Sequence, residues 1–163
     1  LLYLPYLMGE RTPHLDPDCR GVFFGLSAIH TQDDMLRAVM EGVGYSLTDC
    51  QDILRDMGIV VQEMMACGGG GRSQLWRQML ADMYNCEVKT VSSKEGPALG
   101  AAILAGVGAG LFKSVVTACR DFIDTNTYCQ PDPTAHAYYE KGHALYQKLY
   151  RQLAGCYQDL ATL

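Results

Sequence analysis

The chain has 163 residues, of which 48% are hydrophobic and 19% are charged, and its net charge is −5. This composition is typical of a globular protein and excludes a disordered or fibrous chain. Lys and Arg form no run, so we expect no nucleic-acid surface and no basic membrane-surface helix, because both depend on clustered cations.

The chain opens on an apolar segment, LLYLPYLM, which is too short to cross a bilayer and lacks the basic flank of a signal peptide. We expect a buried strand there, within a chain that continues upstream. A charged loop, GERTPHLDPDCRG, follows, and Gly21 to Leu26 predicts a short strand. Glu10 and Arg11 in this loop are candidates either to contact phosphate or to anchor the turn, and both roles remain open.

A long amphipathic helix is predicted from Thr31 to a stop at Gly58. Thr31 and Asp34 have the spacing of a capping box, with Asp in place of the usual Glu. Apolar residues recur at three- and four-residue intervals and predict the buried face: Met35, Leu36, Val39, Met40, Val43, Leu47, Cys50, Leu54 and Met57.

The next elements alternate between strand and helix. The pattern predicts strands at Val60 to Cys67 and Glu87 to Val91, with a helix at Ser73 to Tyr84 between them. Leu75, Trp76, Met79, Leu80 and Met83 are predicted on its buried side. This alternation indicates an α/β fold, which we expect to form one domain over residues 1–163.

The last third is predicted to be mainly helical. PALGAAILAGVGAG, with Gly96 as cap and Pro97 in the first turn, predicts a helix of small residues. Asp124 to Thr134 is interpreted as a polar connector. Thr134 to about Gln158 is predicted to be a closing helix with five residues inward: Tyr139, Tyr146, Leu149, Tyr150 and Leu153.

The cysteines and histidines predict neither disulfides nor a metal site. The seven cysteines are odd in number and form no CxxC pair, which favours reduced thiols in a cytoplasmic protein. His14 and His30 have no partner at metal-ligand spacing. His136 and His143 share a helix face but lack a third ligand, so we expect both to be solvated.

Four consecutive glycines, Gly68 to Gly71, lie between a predicted strand and a predicted helix. Such a turn can bring backbone N–H groups and the helix dipole against a phosphate. Ser73 occupies the position of the last glycine in both GxGxxG and GxxxxGK[ST], so neither standard nucleotide motif is present. A phosphate site and a tight structural turn therefore both remain open at this point, and Trp76 is either a base-stacking residue or part of the core.

Four motifs in order resemble the C-terminal domain of the FGGY carbohydrate kinases: GERTPHLDPDCRGVFFGL, LRAVMEGVGYSL, GGGGRSQLWRQMLAD and EGPALGAAILA. The resemblance covers Leu4 to about Leu153 and is strongest to members that phosphorylate D-xylulose. It implies the actin-like ATPase, or ribonuclease H-like, fold and an ATP-dependent sugar kinase that uses Mg²⁺. By resemblance, Gly69, Gly70, Gly71 and Gln74 bind the nucleotide, although Gly71 replaces a common Ala.

The same resemblance places the sugar pocket and the aspartate base in an N-terminal domain, so we expect no catalytic residue in this chain and no turnover by it alone. The expected partners are ATP and, through the other domain, a sugar; a homodimer is left open. Three alternatives remain: a related kinase acting on gluconate, fuculose or glycerol, a nucleotide-binding module without catalysis, and a structural domain whose turn binds nothing.

Overall fold

The computed structural model describes residues 1–91 and 96–163, which form two compact units. The first unit comprises Leu1–Val61, Asp82–Asn85 and Pro131–Leu163. The second comprises Gln62–Ala81 and Cys86–Gln130.

The first unit combines a two-stranded sheet with two long helices. Strand β1 (Leu2–Leu4) pairs antiparallel with β2 (Val22–Phe24), and the helices are α1 (Gln32–Asp56) and α5 (Pro133–Ala161). Each element lies within its predicted segment or extends it by a few residues. The predicted strand at the chain start and the closing helix are therefore both confirmed.

Tyrosines form the centre of this unit. Tyr6, Tyr45 and Tyr146 are among the largest fully buried side chains, and the Tyr146 hydroxyl donates to the Tyr6 hydroxyl at 2.7 Å. Burial raises the pKa of all three phenols above the usual value. Their hydroxyl groups therefore stay protonated even above the pH at which an exposed tyrosine ionises, and they can donate hydrogen bonds inside the core.

Both ends of α1 lie where the sequence predicts them. Thr31 is the N-cap, and the reciprocal hydrogen bonds between Thr31 and Asp34 complete the predicted capping box. Met57 is the C-cap, and Gly58 follows with a φ of +81°. Glycine is favoured there because other L-residues are strained at positive φ.

The predicted buried face of α1 is wrong. Leu36 and Leu47 are 56% and 42% exposed, whereas the buried residues lie on another face: Ala38, Gly42, Gly44, Tyr45, Thr48 and Asp49. Small residues allow β1 to approach this face closely, since a Cβ at Gly42 would lie 2.1 Å from the Tyr3 carbonyl oxygen. The helix thus buries its small and polar face rather than its most apolar one.

The second unit contains a three-stranded sheet in the order β3-β4-β5. Strand β3 (Glu63–Ala66) is parallel to β4 (Glu87–Val91), and α2 (Gln74–Tyr84) connects them. Strand β5 (Thr125–Cys129) pairs antiparallel with β4, so the interpretation of Asp124 to Thr134 as a connector is wrong. Backbone pairing with β4 gives this polar segment a partner that its sequence pattern does not reveal.

Two helices complete the second unit, α3 (Gly96–Gly108) and α4 (Val115–Phe122). The small-residue helix is confirmed as α3. Gly96, predicted as its cap, is instead its first residue, and the position before it lies outside the described residues.

In α2, Met79, Leu80 and Met83 are buried as predicted, but Leu75 is 55% exposed. No helix in the described part of the chain has both the length and the apolarity needed to cross a bilayer.

Candidate functional site

The glycine turn lies in the second unit, between the end of β3 and the start of α2. Gly68 has a φ of +74°, which favours glycine, and the chain then forms one turn of 3₁₀ helix over Gly70–Arg72. The predicted strand–turn–helix arrangement is therefore present.

Packing explains why position 71, one of the predicted nucleotide-binding positions, is a glycine. It is buried, and a Cβ there would lie 2.6 Å from the Ala66 carbonyl oxygen at the end of β3. The Arg77 guanidinium, only 6% exposed, donates to the Gly71 carbonyl oxygen at 2.6 Å. Helix α2 thus anchors the back of the turn through a charged hydrogen bond.

Packing does not explain Gly69. Gly69 is exposed, its φ and ψ of −62° and −46° suit any L-residue, and no atom lies within 4 Å of a Cβ placed there. Gly70 is also exposed, and a Cβ placed there would lie 3.4 Å from the Trp76 indole nitrogen, an ordinary contact distance. The outer edge of the turn is therefore bare backbone that a ligand can approach.

The start of α2 adds a favourable electrostatic environment to this edge. The Ser73 hydroxyl accepts from the Trp76 backbone N–H at 3.3 Å, and Gln74 is the exposed first residue of the helix. The first N–H groups of a helix have no partner within it and carry a partial positive charge. Arg72 is exposed beside them, and residues 68–74 contain no carboxylate, so the turn favours an anion.

Hydrogen bonds within the charged loop near the start of the chain give it a structural role. The Glu10 carboxylate accepts from the Thr12 backbone N–H at 2.8 Å, and the Glu10 and Asp16 backbones exchange hydrogen bonds of 2.8 Å. These contacts favour the turn-anchor role for Glu10. Arg11 is exposed.

Two histidines also have structural contacts within the first unit. The His14 ring stacks on Tyr150 with a centroid distance of 3.5 Å, and the His30 Nδ1 accepts from the Ser27 backbone N–H at 2.9 Å. Both rings therefore have structural contacts, one of the two roles, structural or surface, that the sequence left open for them.

The expectation that His143 is solvated is wrong. Its side chain is 13% exposed, and its Nε2 lies 2.8 Å from Asp49 Oδ1. It borders a cavity of about 400 Å³ within the first unit, which His136 and Asp52 also line. Sequence spacing could not reveal this cluster, because Asp49 and His143 are 94 residues apart.

Comparisons with known proteins agree with the motifs. A xylulose kinase of Staphylococcus epidermidis is 41% identical over 163 residues, which is all of this chain and 33% of that protein. A gluconokinase of Bacillus licheniformis is 38% identical over 169 residues, covering 99% of this chain and 32% of that protein. The crystal structure of ligand-bound xylulose kinase from Lactobacillus acidophilus superposes with a TM-score of 0.88 at 31% identity, covering 98% of this chain and 32% of that one.

This chain therefore spans about one third of the length of the curated relatives that it matches. The structural match confirms the predicted α/β fold of the sugar-kinase C-terminal domain, with the actin-like architecture. The model of the FGGY family of carbohydrate kinases, C-terminal domain, matches residues 1–109. The chain belongs to the FGGY family of carbohydrate kinases, within which it corresponds to the C-terminal domain.

Proposed function

We propose that this chain is the ATP-binding C-terminal part of a cytoplasmic sugar kinase that converts D-xylulose to D-xylulose 5-phosphate. The observation that carries the proposal is the bare edge of the glycine turn at Gly69, for which the fold gives no packing reason. Membership of a carbohydrate kinase family supplies the chemical context. Seven free cysteines suit a reducing compartment.

The turn suits ATP by its open backbone edge and by its charge. The backbone of Gly69, Gly70 and Gly71 would face the phosphates and ribose, and Gln74 would lie beside the base. Arg72 and the start of α2 favour the negative charge that the phosphates bring. ATP supplies the phosphoryl group; the residues of this chain bind and orient it.

Metal coordination, sugar binding and proton transfer are assigned to residues outside the turn. Residues 68–74 hold no carboxylate, so the Mg²⁺ that accompanies ATP needs other ligands. In the proposal the sugar pocket and the aspartate that accepts the hydroxyl proton lie outside this chain. Phosphoryl transfer depends on positioning and charge stabilisation by both halves of such a cleft.

The sugar is tested on the complete gene product. ATP consumption is measured with D-xylulose, gluconate, L-fuculose and glycerol at equal concentrations, and the phosphorylated product is identified by mass spectrometry. We expect kcat/KM for D-xylulose to exceed that for each of the others by at least about tenfold, a difference of about 1.4 kcal/mol in transition-state binding. A preference for gluconate would instead assign the second activity found among the relatives.

The position of the nucleotide is tested with two cysteines. Cys67 is exposed and immediately precedes the glycine turn, whereas Cys156 is an exposed cysteine on α5 in the first unit. We expect saturating MgATP to slow alkylation of Cys67 at least threefold and to leave Cys156 unchanged, because a bound nucleotide covers the turn. The rates are measured by mass spectrometry of peptides after timed exposure to iodoacetamide. Equal protection of both thiols, or of neither, would argue against a nucleotide at the turn.

A further inference from the structure

A cluster of polar side chains joins α1 to α5 inside the first unit, in a part of the chain that the proposed function does not use. Asp49 and Asp52 lie one helical turn apart on α1, and His143 projects from α5. One potential ligand atom from each of the three lies within 4.8 Å of the others. Gln147, one turn beyond His143, donates to Asp49 at 2.7 Å and to Asp52 at 3.3 Å.

The Asp49 carboxylate is buried and only half satisfied. Its side chain is 3% exposed, and both of its hydrogen bonds, from His143 and Gln147, go to Oδ1. The other oxygen of the same carboxyl group, Oδ2, has no partner among the described residues. An unpaired oxygen of a buried carboxylate is costly, because it has lost its water without a replacement. It leaves the carboxylate of Asp49, a member of the cluster, with the capacity to accept a further partner such as a cation.

The geometry suits a small metal ion. Two ligand atoms that are each about 2.1 Å from a tetrahedral metal ion lie about 3.4 Å apart. Asp49 Oδ1 and His143 Nε2 lie 2.8 Å apart as a hydrogen-bonded pair, so a metal that replaces the Nε2 proton needs only a small outward shift of these two side chains. Asp52, whose side chain is 26% exposed, can move to complete the set. The adjoining cavity of about 400 Å³ has room for water on the remaining coordination positions.

We propose that Asp49, Asp52 and His143 form a binding site for a divalent transition-metal ion, with Zn²⁺ or Co²⁺ as the fitting ions. One imidazole nitrogen and two carboxylates favour these ions over Mg²⁺, which prefers oxygen ligands alone. Gln147 holds both carboxylates in place as an outer hydrogen-bond donor. Because the ion would tie α1 to α5, its binding stabilises the first unit.

The neighbouring charges set the strength of the site. Arg55 pairs with Asp52 and competes with a metal for that carboxylate, but the Arg55 side chain is 68% exposed and can move into solvent. His136 and Glu140 line the same cavity and lie 3.6 Å apart on α5. Among the described residues, no further His, Cys, Asp or Glu completes a set of three possible metal ligands with this second His–carboxylate pair. The pair therefore provides a matched comparison.

The test uses Co²⁺ as the probe, since its visible absorption reports coordination directly. We expect the wild-type protein to bind one Co²⁺ without a thiolate charge-transfer band, and we expect Mg²⁺ not to compete. His143→Gln and Asp52→Asn should each weaken the affinity by at least about tenfold, whereas His136→Gln should leave it within twofold. Arg55→Gln should tighten it severalfold, because the competing cation is removed. Circular dichroism establishes that each variant is folded.

Three results would overturn the proposal: no stoichiometric Co²⁺ binding by the wild type, a charge-transfer band that assigns the ion to cysteine, or equal affinity in the wild type and Asp52→Asn. Asp52 is the partly exposed member, so its variant decides the matter if His143→Gln does not fold. Metal binding is measured without nucleotide or sugar, so its outcome is independent of the kinase proposal.

Discussion

Gly42→Ala is expected to lower the free energy of unfolding by about 3 kcal/mol, the upper part of the range for overpacked cores. The added Cβ would lie 2.1 Å from the Tyr3 carbonyl oxygen, and backbone cannot move aside as a flexible side chain can. Either β1 must separate from α1 or the helix must shift. Urea denaturation measures the change, and the corresponding fall in Tm is about 6–12 °C.

Gly155→Ala is the matched control for this substitution. Gly155 also lies within a long helix, α5, but it is exposed and no atom lies within 4 Å of its Cβ position. Here alanine should raise the free energy of unfolding by about 0.5–1 kcal/mol, since it restricts the unfolded chain and favours helix. If both variants changed stability in the same direction, close approach at Gly42 would not be the reason for its glycine.

Gly69→Val is expected to reduce MgATP affinity by at least about tenfold while changing the free energy of unfolding by less than about 1 kcal/mol. The new side chain meets no protein atom within 4 Å of its Cβ, but it projects from the edge assigned to the nucleotide. Ligand-detected NMR gives the affinity, and urea denaturation of the same preparations gives the stability.

Gly155→Val is the control for nucleotide binding, because it adds the same side chain at another open glycine, on α5. It should bind MgATP like the wild type. Equal binding by Gly69→Val and the wild type would leave the turn with a structural role alone. A large loss of stability in Gly69→Val would show that position 69 is packed, contrary to the geometry.

Local features of this fold could be predicted from the sequence because they depend on residues close together in the chain. The Thr31–Asp34 capping box and the stop at Gly58 each involve a few consecutive residues. The glycine turn between β3 and α2 was also located correctly, since four glycines between apolar segments have few alternatives.

Features that depend on distant contacts could not be predicted. Periodicity selected the most apolar face of α1, but Gly42 and Tyr45 lie on the buried face, because β1 needs a small residue there and α5 meets the tyrosine. Strand β5 owes its pairing to β4 more than to its own composition. In both cases the deciding partner lies far away in the sequence.

In the candidate site, too, features set by nearby residues could be predicted and features set by distant contacts could not. Four glycines suggest a phosphate turn, but only the positions of Ala66 and Arg77 show that Gly71 is packed while Gly69 is open. Likewise, Asp49 and His143 have no spacing relation that a motif search could detect, and their association follows from the packing of α1 against α5.

The indole beside the turn provides an intrinsic fluorescence probe of the turn. Trp76 is the only tryptophan among its 163 residues, and its ring nitrogen lies 3.4 Å from the Cβ position of Gly70. Tryptophan fluorescence excited at the red edge of its absorption, where the ten tyrosines contribute little, therefore reports on the surroundings of this turn. Occupation of the turn, its local opening and the exchange rate of whatever binds there can be followed in real time without a label.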